Sequence, residues 1–161
     1  MTDNPLLPLT FIAGPAILMN ACSVMQNGTN LRYNLAVTQL REFRTLIATR
    51  EKGISDLYSD PVGALKAAKK RIKLLLLGMN LLYAAVGMFG VTAFIGLSGA
   101  FLAEYAGPSI SKLTITMVVT ALLGILFLLS AVITFIAESV CAREMLRLRV
   151  DPDHLDFKQT I

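Results

Sequence analysis

The chain has 161 residues, 55% of them hydrophobic and only 16% charged, with a mean hydropathy of +0.63. That balance excludes an ordinary water-soluble domain. The formal charge of +4 is carried by Lys and Arg gathered beside apolar runs, which points to lipid headgroups rather than to nucleic acid.

The first apolar run extends from Leu6 to Met25 and is interrupted by Pro8, Pro15 and Asn20. The preceding "MTDNP" holds no Lys or Arg, so the run lacks the positive start of a cleaved signal and reads as a retained span over about residues 6–27. Asn27-Gly28 next offers a turn, and Asn27-Gly28-Thr29 spells a glycosylation sequon. At 3.6 residues per turn, however, Asn20, Ser23, Asn27, Asn30, Asn34, Thr38 and Arg41 fall on one stripe. Tyr33, Ala36, Leu40, Phe43 and Ile47 occupy the other side. Two ordered stripes predict one helix continuing to about Lys52, with Gly53 ending it. One internal glycine costs such a helix only about 1 kcal/mol relative to alanine.

The second helix is predicted to begin at Asp60, a good N-cap, followed by Pro61 at the first helical position. It passes through a basic segment into an uncharged run over 74–103. A short link, "EYAGPSISK", leads to the third uncharged run, 113–137. The third helix should continue through "ESVCAREMLRLRV" and stop before Asp151-Pro152. The expected fold class is therefore an all-α membrane protein. Three transmembrane helices have their inner ends extended into the cytoplasm as a helical bundle (28–73 and 138–150), followed by a polar tail, 151–161, all within one membrane domain, 1–161.

Orientation follows from the bases. Between the first two spans lie Arg32, Arg41, Arg44, Arg50, Lys52, Lys66, Lys69, Lys70, Arg71 and Lys73, whereas the link between the second and third holds only Lys112. Lys and Arg stay on the cytoplasmic side, so the N-terminus is expected outside and the C-terminus inside a bacterial inner membrane. A cytoplasmic Asn27 makes the sequon a chance match.

The stretch "GPAILMNACSVMQNGTNLRYNLAVTQLREFR", the helix start "KAAKKRIKLLLLG" and the two later apolar spans resemble a bacterial family of small multi-pass membrane proteins of unknown function, domain-of-unknown-function family 2721. Pro15-Ala16, Asn30-Leu31-Arg32 and Arg41-Glu42-Phe43-Arg44 stand where that family's Pro-Ala, Asn-Arg-like pair and basic cluster are expected, with looser spacing. The resemblance covers about Pro15 to Arg149. It implies an architecture and no catalytic residue.

Residues that could carry chemistry are few. The second and third spans hold no Asp, Glu, Lys, Arg or His, which argues against a proton-coupled transporter. The one histidine, His154, lies in the tail. Cys22 and Cys141 read as packing residues rather than a bridge or metal site. No phosphate-binding loop or HExxH is present, so no enzyme, cofactor or metal is expected. Asn80 is expected to hydrogen-bond to a neighbouring helix, for instance at Asn20 or Ser23. Ala85, Thr92, Gly96, Gly99 and Ala103 form a small-residue face for helix packing. Lys66, Lys69, Lys70, Arg71 and Lys73 should anchor the second helix at the headgroups or bind anionic lipid. The stripe from Asn20 to Arg41 is either a polar seam in the bundle, a solvated face of the extension, or the lining of a path shared between copies. The expected function is a non-enzymatic membrane protein that self-associates or serves as an accessory or scaffold subunit of a larger membrane complex. The alternative is a homo-oligomeric channel lined by the first helix.

Overall fold

A computed structural model describes residues 7–48, 58, 60–102 and 109–148. They contain three long α-helices: α1, Leu7–Ala48; α2, Pro61–Leu102; and α3, Ser109–Arg147. The predicted continuation of α1 to Lys52, its stop at Gly53 and the end of α3 at Asp151-Pro152 fall outside the described residues.

α1 does not turn at Asn27-Gly28; the helix runs through both. The start of α2 is fixed locally. Asp60 accepts a hydrogen bond from the Gly63 N–H on Oδ1 at 3.0 Å, and its carbonyl accepts one from the Ala64 N–H at 3.0 Å. Two N–H groups of the first turn are thereby satisfied. The missing N–H of Pro61 is not needed there. Asp60→Ala is expected to lower stability by about 1 kcal/mol, read as an earlier thermal melt in detergent; an unchanged melt would show that the cap is dispensable.

Side-chain hydroxyls inside the helices bond back to the carbonyl four residues earlier. Ser23 donates to Met19, Thr29 to Met25, Thr116 to Lys112 and Ser130 to Leu126. This lets hydroxyls sit in apolar helices without an external partner.

Burial repeats every 3.5 residues. In α1 the buried positions are Cys22, Thr29, Ala36 and Phe43. In α2 they are Ala64, Ala68, Leu75, Gly78, Leu82, Ala85, Phe89 and Thr92, with a step of seven from Ala68 to Leu75 and alternating steps of three and four from Leu75 to Thr92. In α3 they are Gly124, Ala131, Thr134, Glu138 and Cys141. A 3.5-residue period keeps one seam of each helix turned toward its neighbours and is the pattern of left-handed helix packing.

Two compact units result, Met1–Thr29 with Gly78–Val132, and Asn30–Leu77 with Ile133–Ile161. In the first, Gly124 lies against the ring of Phe89, and Gly96 faces the sulfur of Met117. The Thr92 and Thr120 hydroxyl oxygens are 2.9 Å apart, a hydrogen bond between α2 and α3. In the second, Phe43 meets Tyr58 edge to face, with ring centres 4.9 Å apart.

Among the described residues, two helical stretches are long and apolar enough to cross a membrane, Pro61–Gly99 and Ser111–Arg147. Only 28% and 17% of their most apolar portions are buried. A core helix of a water-soluble protein would be covered; here Tyr83, Val91, Phe94, Leu122, Leu126 and Leu129 are exposed.

Candidate functional site

The most unusual side chain lies on the seam of α3. Glu138 is only 2% exposed, in a row otherwise made of Gly124, Ala131, Thr134 and Cys141. A buried carboxylate must be paired and hydrogen-bonded to remain charged there. Arg71, on the matching seam of α2 between Ala68 and Leu75, supplies the bond: its Nε donates to Glu138 Oε1 at 2.6 Å. The Nη1 of Arg71 donates to the Gln39 side-chain oxygen of α1 at 3.3 Å. Arg32, also on α1, brings its Nη1 to 3.7 Å from Glu138 Oε2, a charge contact beyond hydrogen-bond length. One carboxylate therefore draws side chains from all three helices, entirely within the second unit.

The burial of the three ionic partners is graded. The Arg71 side chain is 19% exposed and that of Arg32 59%. Arg71 is thus committed to the seam, whereas Arg32 sits at its solvent edge. Two guanidiniums against one carboxylate leave a local excess of one positive charge. Beside Arg71 opens a groove of about 490 Å³, walled by Gln39, Glu42, Phe43 and Leu46 of α1, by Tyr58, and by Ala142, Met145 and Leu146 of α3. The arrangement links side chains of three helices, and the groove beside it carries charges of both signs, Arg71 and Glu42. Among the described residues no cluster of His, Cys, Asp and Glu could hold a metal ion.

The sequence-predicted residues are distributed differently from one another. Of the polar stripe, Asn20, Asn27, Asn34, Thr38 and Arg41 are exposed, and Ser23 and Asn30 are half-buried. Five of the seven stripe residues thus lie on the outer side of α1. Lys66, Lys69, Lys70 and Lys73 are exposed, but Arg71 departs from that basic row, because the 3.5-residue seam carries it inward to Glu138. Ala85 and Thr92 are buried and Gly96 and Gly99 half-buried on the inner side of α2; Ala103 falls outside the described residues. Asn80 is exposed rather than turned toward a neighbouring helix, since it stands two residues beyond the seam position Gly78. Cys22 and Cys141 are buried and free, and His154 lies outside the described residues.

Sequence reasoning missed Glu138 and Gln39. The available clue was periodicity: Glu138 falls seven residues after Ala131 and fourteen after Gly124, and Arg71 fits the run of three and four from Ala68 to Leu75. Gln26 was also overlooked; its Nε2 is buried with no hydrogen-bond partner.

Compared with known proteins, the chain matches one family, described as Protein of unknown function (DUF2721), over residues 12–148. No curated protein and no solved structure matches it.

Proposed function

We propose, starting from a chain that belongs to the DUF2721 family, that this protein is a non-enzymatic integral membrane protein that self-associates through the outer face of α1. In this reading it crosses a bacterial inner membrane three times, with the N-terminus outside and the C-terminus in the cytoplasm. The apolar spans, about 6–27, 74–103 and 113–137, are the embedded parts in this reading, and the helical extensions, 28–73 and 138–150, project into the cytoplasm. The boundaries between the units fall after Thr29, Leu77 and Val132. Those positions lie within a few residues of where the apolar runs meet the basic segments, which supports the division.

One observation carries the self-association. Asn20 and Asn27 are exposed on α1, in the same unit as the apolar outer faces of α2 and α3. Amides left facing hydrocarbon are costly, and polar side chains at that depth normally face protein or water. A second α1 offers the same amides in return, as an isologous contact requires. Each hydrogen bond gained is worth on the order of 0.6 kcal/mol, so several along the stripe are needed for a stable pair. The scaffold role in a larger complex uses the same face with a different helix.

The outward position of the stripe also favours the second reading, a homo-oligomeric channel. A stripe on the outer side of each copy can line an axis shared by several copies, with Arg41 at its inner mouth.

The test places single cysteines at Asn20, Asn27 and Asn34 in a background of Cys22→Ala and Cys141→Ala. Oxidative crosslinking in native membranes should give dimers at these positions and none at Tyr83 or Leu126, on the outer faces of α2 and α3. Equal crosslinking at all sites, or none at any, would remove α1 as the interface. Reaction of the same cysteines with aqueous thiol reagents, together with blocked ion flux in liposomes, separates the channel from a closed interface.

A further inference from the structure

We propose that Arg32 is a specific site for a phosphate group, and that in the membrane this phosphate is the headgroup of an anionic lipid in the inner leaflet. The inference rests on the cytoplasmic placement of the helical extensions proposed above. Three observations converge on Arg32 rather than on the row of lysines.

The first is charge. Glu138 is neutralised by the 2.6 Å bond from Arg71, so the positive charge of Arg32 is the surplus of the cluster. The second is availability. Among the described residues Arg32 makes only the 3.7 Å charge contact to Glu138, and its side chain is 59% exposed. Its planar fork of donors can take two phosphate oxygens side by side, which a lysine ammonium cannot. The third is position. Arg32 lies three residues beyond Thr29, where the first unit ends along α1. That is the level at which headgroups meet the protein. The buried carboxylate 3.7 Å away attracts the guanidinium and biases its position without a hydrogen bond that would occupy its donors. Lys66, Lys69, Lys70 and Lys73 are exposed without an ion-pair partner among the described residues, and act as a diffuse charge.

The experiment uses the full-length chain in nanodiscs of phosphatidylcholine, with and without phosphatidylglycerol, and reads lipids retained on the protein by native mass spectrometry together with the melting temperature. The wild type should retain phosphatidylglycerol and melt higher when it is present. Arg32→Gln should lose one retained phosphatidylglycerol and most of that rise, while melting close to wild type in phosphatidylcholine alone. Arg32→Lys should keep only part of it. The combined Lys66→Gln, Lys69→Gln, Lys70→Gln, Lys73→Gln variant should keep the retained lipid. The proposal is overturned if Arg32→Gln responds like the wild type, or if the lysine variant alone loses the response. Inorganic phosphate added to pure phosphatidylcholine discs should not reproduce the rise; if it does, the site takes free phosphate and the lipid assignment fails. A chain that does not enter the phosphatidylcholine discs at all removes the membrane reading and this proposal with it, and that result is distinct from insertion without a phosphatidylglycerol response.

Discussion

Arg71→Met should lower the unfolding free energy by about 3 kcal/mol, the lower part of the range for breaking a buried ion pair. The loss arises because Glu138, 2% exposed, is left buried without its 2.6 Å donor. Arg32 tempers the effect, since its guanidinium is already 3.7 Å away and can move in. Glu138→Leu should cost less, because Arg71 is 19% exposed and its long stem can carry the charge toward the groove. The double variant Arg71→Met, Glu138→Leu should recover most of the stability, since a packed apolar pair removes both desolvation costs. Equilibrium unfolding in mixed micelles, followed by helix content, gives all three values and the coupling between the two sites. If each single change shifts stability by less than about 0.5 kcal/mol, the pair behaves as an exposed surface salt bridge and the buried clamp described above is wrong.

The clamp also explains what the sequence conceals. Glu138 follows an uncharged run, where a carboxylate reads equally well as the beginning of a solvated segment. Only the rotation of α3 tells whether it faces water or α2, and rotation is set by packing against helices far away in the sequence. Arg71 is hidden for the same reason among four lysines that share its charge but not its side of α2. By contrast, the start of α2 was legible, because Asp60, Pro61 and Gly63 act on one another within a single turn. The continuation of α1 past Gly28 was legible too, since two ordered stripes outweigh one glycine. Asn80 marks the limit. One amide in an apolar helix suggests a partner, but the seam through Leu75, Gly78 and Leu82 turns it outward.

That same seam gives the exposed amides a common consequence. The contacts within one chain consume small and apolar residues, Ala85, Phe89, Thr92, Gly96 and Gly124, and leave Asn20, Asn27 and Asn80 outside. Intrachain packing and the exposed amides of the stripe, Asn20, Asn27 and Asn34, therefore use different helix faces, while Ser23 and Asn30 are half-buried. Substitutions on one should leave the other intact, which makes folding and association separable by mutation.

Gly124→Ala is the sharpest way to disturb the inner faces alone. A Cβ built on Gly124 would stand 2.8 Å from Cε1 and 3.0 Å from Cδ1 of Phe89. Phe89 is 1% exposed, so its ring would have to shift within the protein rather than into the surroundings. Overpacking of this kind costs about 1–3 kcal/mol. Alanine is the better helix former by about 1 kcal/mol, and that gain opposes the clash; inside a long apolar helix that is already formed, only part of it is realised. The expected net result is destabilisation of about 1 kcal/mol or more, measured by the same unfolding titration, with crosslinking through Asn27→Cys retained below the melting temperature. Phe89→Leu alone should also cost stability, through the void left where the ring was. Combined with Gly124→Ala it should cost less than the sum, because the added methyl occupies part of that void. A Gly124→Ala chain as stable as the wild type would show that α2 and α3 yield at this contact, and the close approach at Phe89 would then not be what sets their packing.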